Sequence, residues 1–131
     1  MKVVKRVLVV DDDPDTRTII EETLEADGYD VDTASDGSMA LRKIRSARYD
    51  LAIVDLMLPD ADGVVLQGKI HAADPELSRR LIFTTGYTDR PMVLAYLKRM
   101  GRAFLGKPFQ AEDLLAAVRS SLTGADRVLA E

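Results

Sequence analysis

Asp11, Asp12, Asp55, Thr85 and Lys107 are the residues of this chain whose types could do chemistry together. Each stands at, or just past, the end of a short apolar run. Arg6-Val7-Leu8-Val9-Val10 leads into Asp11-Asp12-Asp13, and Leu51-Ala52-Ile53-Val54 into Asp55. Leu81-Ile82-Phe83 leads into Thr84-Thr85-Gly86, and Ala103-Phe104-Leu105 runs through Gly106 into Lys107-Pro108. Carboxylates that share a crevice repel: a like-charged pair about 4 Å apart costs about 4 kcal/mol at an effective dielectric near 20. Lys107 supplies one compensating charge, and a divalent cation supplies more. An oxygen-only donor set selects a hard ion. Mg²⁺ is therefore expected, with Mn²⁺ an acceptable substitute. Asp12 and Asp55 are the expected direct ligands, Asp11 is expected to act through water, and the backbone carbonyl of Met57 completes the set. A carboxylate beside such an ion can attack phosphorus. Lys107 and the Thr85 hydroxyl would then each take a phosphoryl oxygen, and Gly63 and Gly86 leave room for close backbone approach.

These residues meet only if the four runs are parallel strands ending at one edge. Short continuous apolar runs fit strands buried on both faces of a parallel sheet. Helical patterns alternate with them. Asp13-Pro14 reads as a cap followed by a first helical residue, Ile20 and Leu24 recur at helical spacing, and Gly28 stops the helix. Tyr29 to Ser35 alternates as a half-exposed edge strand would, and Asp36-Gly37 reads as a turn. Ala40, Leu41, Ile44 and Ala47 mark a second helix, and Val65, Leu66 and Ile70 a third that Asp74-Pro75 breaks. Val93, Leu97 and Met100 mark a fourth, ended by Gly101; Ala111, Leu115, Val118 and Leu122 mark a fifth. The pattern predicts an α/β fold, a doubly wound five-stranded parallel sheet with five helices. The first, third and fourth strands are the most apolar and belong in the centre, which implies the order 2-1-3-4-5. In such a sheet ligands bind beyond the carboxyl ends of the strands where the winding reverses, here between Asp11-Asp12 and Asp55.

The bulk composition narrows the function classes. The chain has 131 residues, 47% of them hydrophobic, and a net charge of -4. That length suits one domain. An acidic chain without a basic stripe is a poor direct binder of nucleic acid. With no cysteine and one histidine, disulfides and a zinc site are not expected. No apolar run approaches the roughly 20 residues that cross a bilayer, and the N-terminal stretch is too short for a secretory signal, so a cytoplasmic protein is expected.

Taken together, Val9-Val10-Asp11-Asp12-Asp13-Pro14, Val54-Asp55-Leu56-Met57-Leu58-Pro59 with Asp62-Gly63, Thr84-Thr85-Gly86 and Lys107-Pro108-Phe109 resemble the receiver domains of bacterial two-component response regulators, which have a flavodoxin-like, chemotaxis-regulator-like fold. The resemblance runs from Val7 to Leu122. It implies a receiver domain over residues 1–122, with residues 123–131 a helix extension or frayed tail. This chain leaves no room for an output domain, and is expected to be either a free-standing single-domain regulator or a receiver cut from a hybrid kinase or longer regulator. It makes Asp55 the phosphoacceptor, Asp11 and Asp12 the acidic pair, Thr85 the switch hydroxyl, Lys107 the phosphate-reading lysine and Phe104 the switch aromatic, with Pro108 after a cis peptide bond. The implied partner is a sensor histidine kinase or phosphotransfer protein carrying phosphohistidine. The implied chain is a signalling acceptor that catalyses its own phosphotransfer and slow dephosphorylation, rather than an enzyme with a separate substrate. Phosphorylation would draw Thr85 inward, let Phe104 follow, and remodel the surface of the fourth helix, fifth strand and fifth helix. Phe104 carries no hydroxyl needing a partner when buried, so its inward state should be easier to reach than a tyrosine's. At the positions that flank the phosphoryl group, Met57 and Tyr87 are bulky and offer no acid or amide to orient water, which implies a long-lived phosphate.

Blander readings attach to single residues. Asp13 caps a helix, Asp60, Ala61 and Asp62 solvate a loop, Arg42-Lys43-Arg45 and Arg79-Arg80 are exposed faces, and His71 has no assigned role. A competing reading is a Mg²⁺-dependent phosphohydrolase similar to the haloacid dehalogenase group, using Asp11 and Asp13 as its Asp-x-Asp pair. Glu112-Asp113 fall inside the last helix rather than at a strand end, and Asp55 would then have no role.

Overall fold

The structure is a computed structural model that describes residues 3–86 and 91–123. Five parallel strands, β1 (Arg6–Val10), β2 (Asp30–Ala34), β3 (Leu51–Asp55), β4 (Leu81–Thr85) and β5 (Ala103–Gly106), form one sheet in the order β2-β1-β3-β4-β5. The helices are α1 (Pro14–Ala26), α2 (Gly37–Ser46), α3 (Gly63–Ala73), α4 (Pro75–Ser78), α5 (Pro91–Arg99) and α6 (Ala111–Leu122). The expected strand order is present, with β2 and β5 at the edges.

Burial on both faces explains why β1, β3 and β4 read as unbroken apolar runs. Leu8, Val10, Ala52, Val54, Leu81 and Phe83 enter the core shared with Ala40, Ile44, Leu66, Ile70 and Leu97. Val7, Val9, Leu51, Ile53 and Ile82 enter the opposite core, against Ile20 and Leu24 of α1 and Leu114 and Val118 of α6. A strand's side chains alternate between faces, so a core on each side demands apolar residues at every position.

Several details depart from the sequence pattern. The described residues form six helices where the pattern marks five, because Pro75 begins a new turn instead of only ending α3. Asp74 accepts from Leu77 N at 3.1 Å and caps that turn, which is too short for any apolar periodicity. Asp36 is the cap of α2, accepting from Met39 N at 2.7 Å, and Gly37 is the first residue of that helix rather than half of a turn. The apolar stripe of α6 runs through Leu114 and Val118; Ala111 is exposed. Val65 likewise faces outward from α3. Residues 124–131, expected as a helix extension or frayed tail, lie outside the described residues.

Lys43 is not part of an exposed charged face. Its ammonium lies 2.9 Å from Asp32 Oδ1 and donates to the Thr33 carbonyl at 2.6 Å, while Tyr49 Oη donates to Asp32 Oδ2 at 2.7 Å. These bonds tie edge strand β2 to α2 and to the segment entering β3. Burial works to raise the Asp32 carboxyl, but the bonds from Lys43, Tyr49 and Thr33 N outweigh it and hold the group below its ordinary value. Burial and the bond to Asp32 push the Tyr49 phenol up to about 12. A carboxyl depressed in the folded state stabilises the fold above its unfolded pKa and loses that contribution as pH falls through the folded value. Asp32→Asn is therefore expected to lower stability by about 1 kcal/mol at pH 7. The deficit should shrink as pH drops below about 4, the unfolded carboxyl value. Urea unfolding of both proteins across a pH series measures it, and a deficit that does not change with pH would contradict this assignment.

Candidate functional site

The carboxyl ends of β1, β3, β4 and β5 arrive at one level. Val10 pairs with Val54, Asp55 with Thr84, and Thr85 with Gly106. One residue beyond β5, Lys107 N donates to the Thr85 carbonyl at 2.7 Å, so the ladder continues up to the lysine itself. The Lys107–Pro108 peptide bond is cis.

The site is built where those ends meet. Lys107 Nζ lies 2.9 Å from Asp11 Oδ2 and 2.9 Å from Asp55 Oδ2. The Asp11 side chain is 1% exposed, that of Asp55 8% and that of Lys107 25%, so the two carboxylates are buried while the ammonium enters from the rim. The other oxygen of each acid is held locally: Asp11 Oδ1 accepts from Asp13 N at 2.9 Å, and Asp55 Oδ1 accepts from Met57 N at 3.0 Å. Burial raises the Asp55 carboxyl above its ordinary range, and the bonds from Met57 N and Lys107 offset part of that. Burial pulls Lys107 down, but Asp11 and Asp55 more than reverse it and leave the ammonium harder to deprotonate.

Asp12 is exposed and completes an acidic trio. One carboxylate oxygen each from Asp11, Asp12 and Asp55 lies within 4.8 Å of the others. Among the described residues, three carboxylates face a single ammonium, which leaves uncompensated negative charge on an all-oxygen donor set. That is a good fit to a hard divalent cation.

Thr85 is wholly buried at the end of β4. Thr84 faces the other side of the sheet between Asp55 and Leu105, and its hydroxyl has no hydrogen-bond partner among the described residues. Phe104 is half-buried against the core on the α2–α5 side of the sheet. Met57 is 55% exposed at the rim. Tyr87 lies outside the described residues. The expected residues Asp11, Asp12, Asp55 and Lys107 are thus brought together, with Thr85 at the adjoining strand end.

Two residues to which the sequence pattern gave no part in the site also hold this region. Arg17 donates through Nη1 to the Asp11 carbonyl at 2.7 Å, fixing the start of the β1–α1 loop. Its position was itself a signal, because a cation near a helix N-terminus opposes the helix dipole and needs a local acceptor. Asp60 accepts from Gly37 N and Ser38 N at 2.8 and 2.9 Å, so it anchors a loop rather than merely solvating it.

Comparison with known proteins agrees with this geometry. The family described as the response regulator receiver domain matches residues 7–119. The DNA-binding response regulator MtrA of Mycolicibacterium smegmatis is 35% identical over 118 residues, covering 90% of this chain and 50% of MtrA. The C4-dicarboxylate transport transcriptional regulatory protein DctD of Rhizobium meliloti is 33% identical over 91% of this chain and 25% of its own length. The chain therefore spans half or less of these curated relatives. Among solved structures, a CheY-like receiver domain protein from Methanospirillum hungatei superposes with a TM-score of 0.84 at 31% identity, covering 95% of this chain and 98% of the other. The response regulator TrrA of Thermotoga maritima, solved in complex with Mg²⁺ and BeF, superposes with a TM-score of 0.78 at 32% identity, covering 90% and 99%. With its sheet order, its strand-end acidic trio and its strand-end lysine, this chain belongs to the response regulator receiver domain family.

Proposed function

We propose that Asp55 is the phosphoacceptor of this receiver and that the donor is a phosphohistidine on a sensor histidine kinase or phosphotransfer protein. The observation that carries the reading is the double contact of Lys107 Nζ with Asp11 and Asp55, which makes a single buried polar centre from three separate strand ends. An Asp55 carboxylate oxygen attacks phosphorus. The new O–P bond forms as the donor's N–P bond breaks, and that electron pair returns to the imidazole nitrogen. Lys107 turns from the carboxylate toward a phosphoryl oxygen, and the Thr85 hydroxyl takes another. Met57 N keeps one Asp55 oxygen oriented during the exchange.

Asp11, Asp12, Asp55 and the Met57 carbonyl are the groups that would hold a divalent cation, Mg²⁺ or Mn²⁺ by donor chemistry. When bound, such an ion neutralises the negative charge that accumulates on the carboxylates and the transferring group. That the similar receiver TrrA was solved in complex with Mg²⁺ and BeF supports an ion of this kind. The chain in this reading catalyses its own phosphotransfer and later loses the phosphate slowly. Switching is a population shift, in which the phosphoryl group favours the state with Thr85 drawn inward and Phe104 following it. The surface that changes is α5, β5 and α6. No described helix is long and apolar enough to cross a membrane, and we read the chain as cytoplasmic.

Incubation with a small-molecule phosphoryl donor and Mg²⁺ should add the mass of one phosphate to the wild-type chain and none to Asp55→Asn. Labelling that survives in Asp55→Asn, or that maps to Asp11 as the phosphohydrolase reading requires, would contradict the assignment.

Met57, exposed two residues beyond Asp55, carries no acid or amide that could orient water, which supports slow hydrolysis. Met57→Asn combined with Tyr87→Glu should shorten the phosphate lifetime by roughly tenfold or more, within the range a positioned polar group contributes. Decay of the phosphorylated species by mass spectrometry measures this, and an unchanged lifetime would overturn it.

A further inference from the structure

The loop from Leu56 to Asp62, which leaves Asp55, is held at both its base and its tip. At the base, Gly63 N donates to the Leu56 carbonyl at 2.9 Å, and Met57 and Asp62 face each other as an antiparallel bridge. A Cβ on Gly63 would lie 2.7 Å from Leu56 Cδ2 and 2.9 Å from Leu56 Cα, so the ends of the loop meet this closely only because residue 63 has no side chain. At the tip, Asp60 reaches across to another element. Its carboxylate accepts from Gly37 N at 2.8 Å and Ser38 N at 2.9 Å, the first two residues of α2. The approach is again tight, since a Cβ on Gly37 would stand 3.1 Å from Ala61 Cβ.

Helix α2 does not need Asp60 for its own cap. Asp36 already accepts from Met39 N at 2.7 Å. Two carboxylates therefore serve one helix start, and only Asp60 belongs to the loop that carries the Met57 carbonyl. A short loop closed at its base can still tilt at its tip, and the Asp60 bonds remove that freedom. We infer that Asp60 is a positioning residue for divalent-cation binding: by fastening the loop tip to α2, it holds the Met57 carbonyl where Asp11, Asp12 and Asp55 need it. This rests on the reading that those four groups hold the ion.

Titration calorimetry with MgCl₂ alone, on the full chain, tests the inference. Asp60→Ala should weaken Mg²⁺ binding by roughly tenfold, the low end for a residue that supports a ligand. Asp60→Asn, which keeps one acceptor oxygen, should recover part of the affinity. Asp36→Ala removes a cap from the same helix without touching the loop, and it should leave the Mg²⁺ affinity at the wild-type value. Without metal, amide hydrogen exchange at Gly37, Ser38 and the loop should quicken in Asp60→Ala. Wild-type affinity in Asp60→Ala, or an equal loss in Asp36→Ala, would overturn the inference. Asp12→Asn separates the two levels. Lost binding there with wild-type affinity in Asp60→Ala removes only the positioning role, whereas unchanged binding in Asp12→Asn removes the ion site and the inference with it.

Discussion

One ammonium group shared by two buried carboxylates is the constraint around which this molecule is arranged. Asp11 and Asp55 sit at the ends of neighbouring strands with their side chains almost fully withdrawn from water. Two such charges repel each other and lose hydration on burial, so the pair is tolerable only with a counter-charge at hydrogen-bond distance. Lys107 provides it from the far edge strand, at 2.9 Å to each. The contact spans 96 residues of chain and can form only if the strand ends are level. The parallel sheet is what makes them level. The function of the site and the topology of the fold are in this sense one requirement.

The same arrangement leaves the site unfinished in a useful way. A single positive charge against three carboxylates leaves negative potential open toward solvent, on the side where Asp12 is exposed. That attracts a cation and, with it, a phosphoryl group that a purely acidic cleft would repel. Around this centre the loops are anchored by particular bonds: Arg17 on the Asp11 carbonyl, Asp13 N on Asp11 Oδ1, Met57 N on Asp55 Oδ1, and Asp60 on α2. Precision in the site thus comes from loops tied to rigid elements.

Much of this was legible in the residues because two-sided burial writes a simple pattern. Val7 to Val10, Leu51 to Val54 and Leu81 to Phe83 each had to be apolar throughout, and the polar residue after each marked the sheet edge. Sheet order followed from which runs were most apolar. The failures share another cause. The single turn at Pro75–Ser78 has 4 residues, barely one helical period, so no apolar repeat can show in it. On α6 the neighbours Leu114 and Leu115 both fit an apolar stripe, and only packing against the sheet decides that Leu114 is buried. Lys43 and Asp60 read as solvated charges because their partners, Asp32 and the α2 amides, lie 11 and 23 residues away. Local sequence carries no record of such pairings. Thr84 and Thr85 could be placed on opposite faces by strand alternation, but nothing local says that the Thr84 hydroxyl has no hydrogen-bond partner among the described residues.

The most direct measurement of the central claim is the thermal midpoint of Lys107→Met, which keeps the aliphatic stem and removes the charge, with and without Mg²⁺. Without the ion the variant should melt lower than wild type by roughly 5 °C or more, because two buried carboxylates lose their counter-charge. Added Mg²⁺ should then raise its midpoint by more than it raises that of the wild type, since a cation that binds the folded state takes over the missing charge. A variant that melts with the wild type in the absence of Mg²⁺, or that gains no more from the ion than the wild type does, would contradict the account.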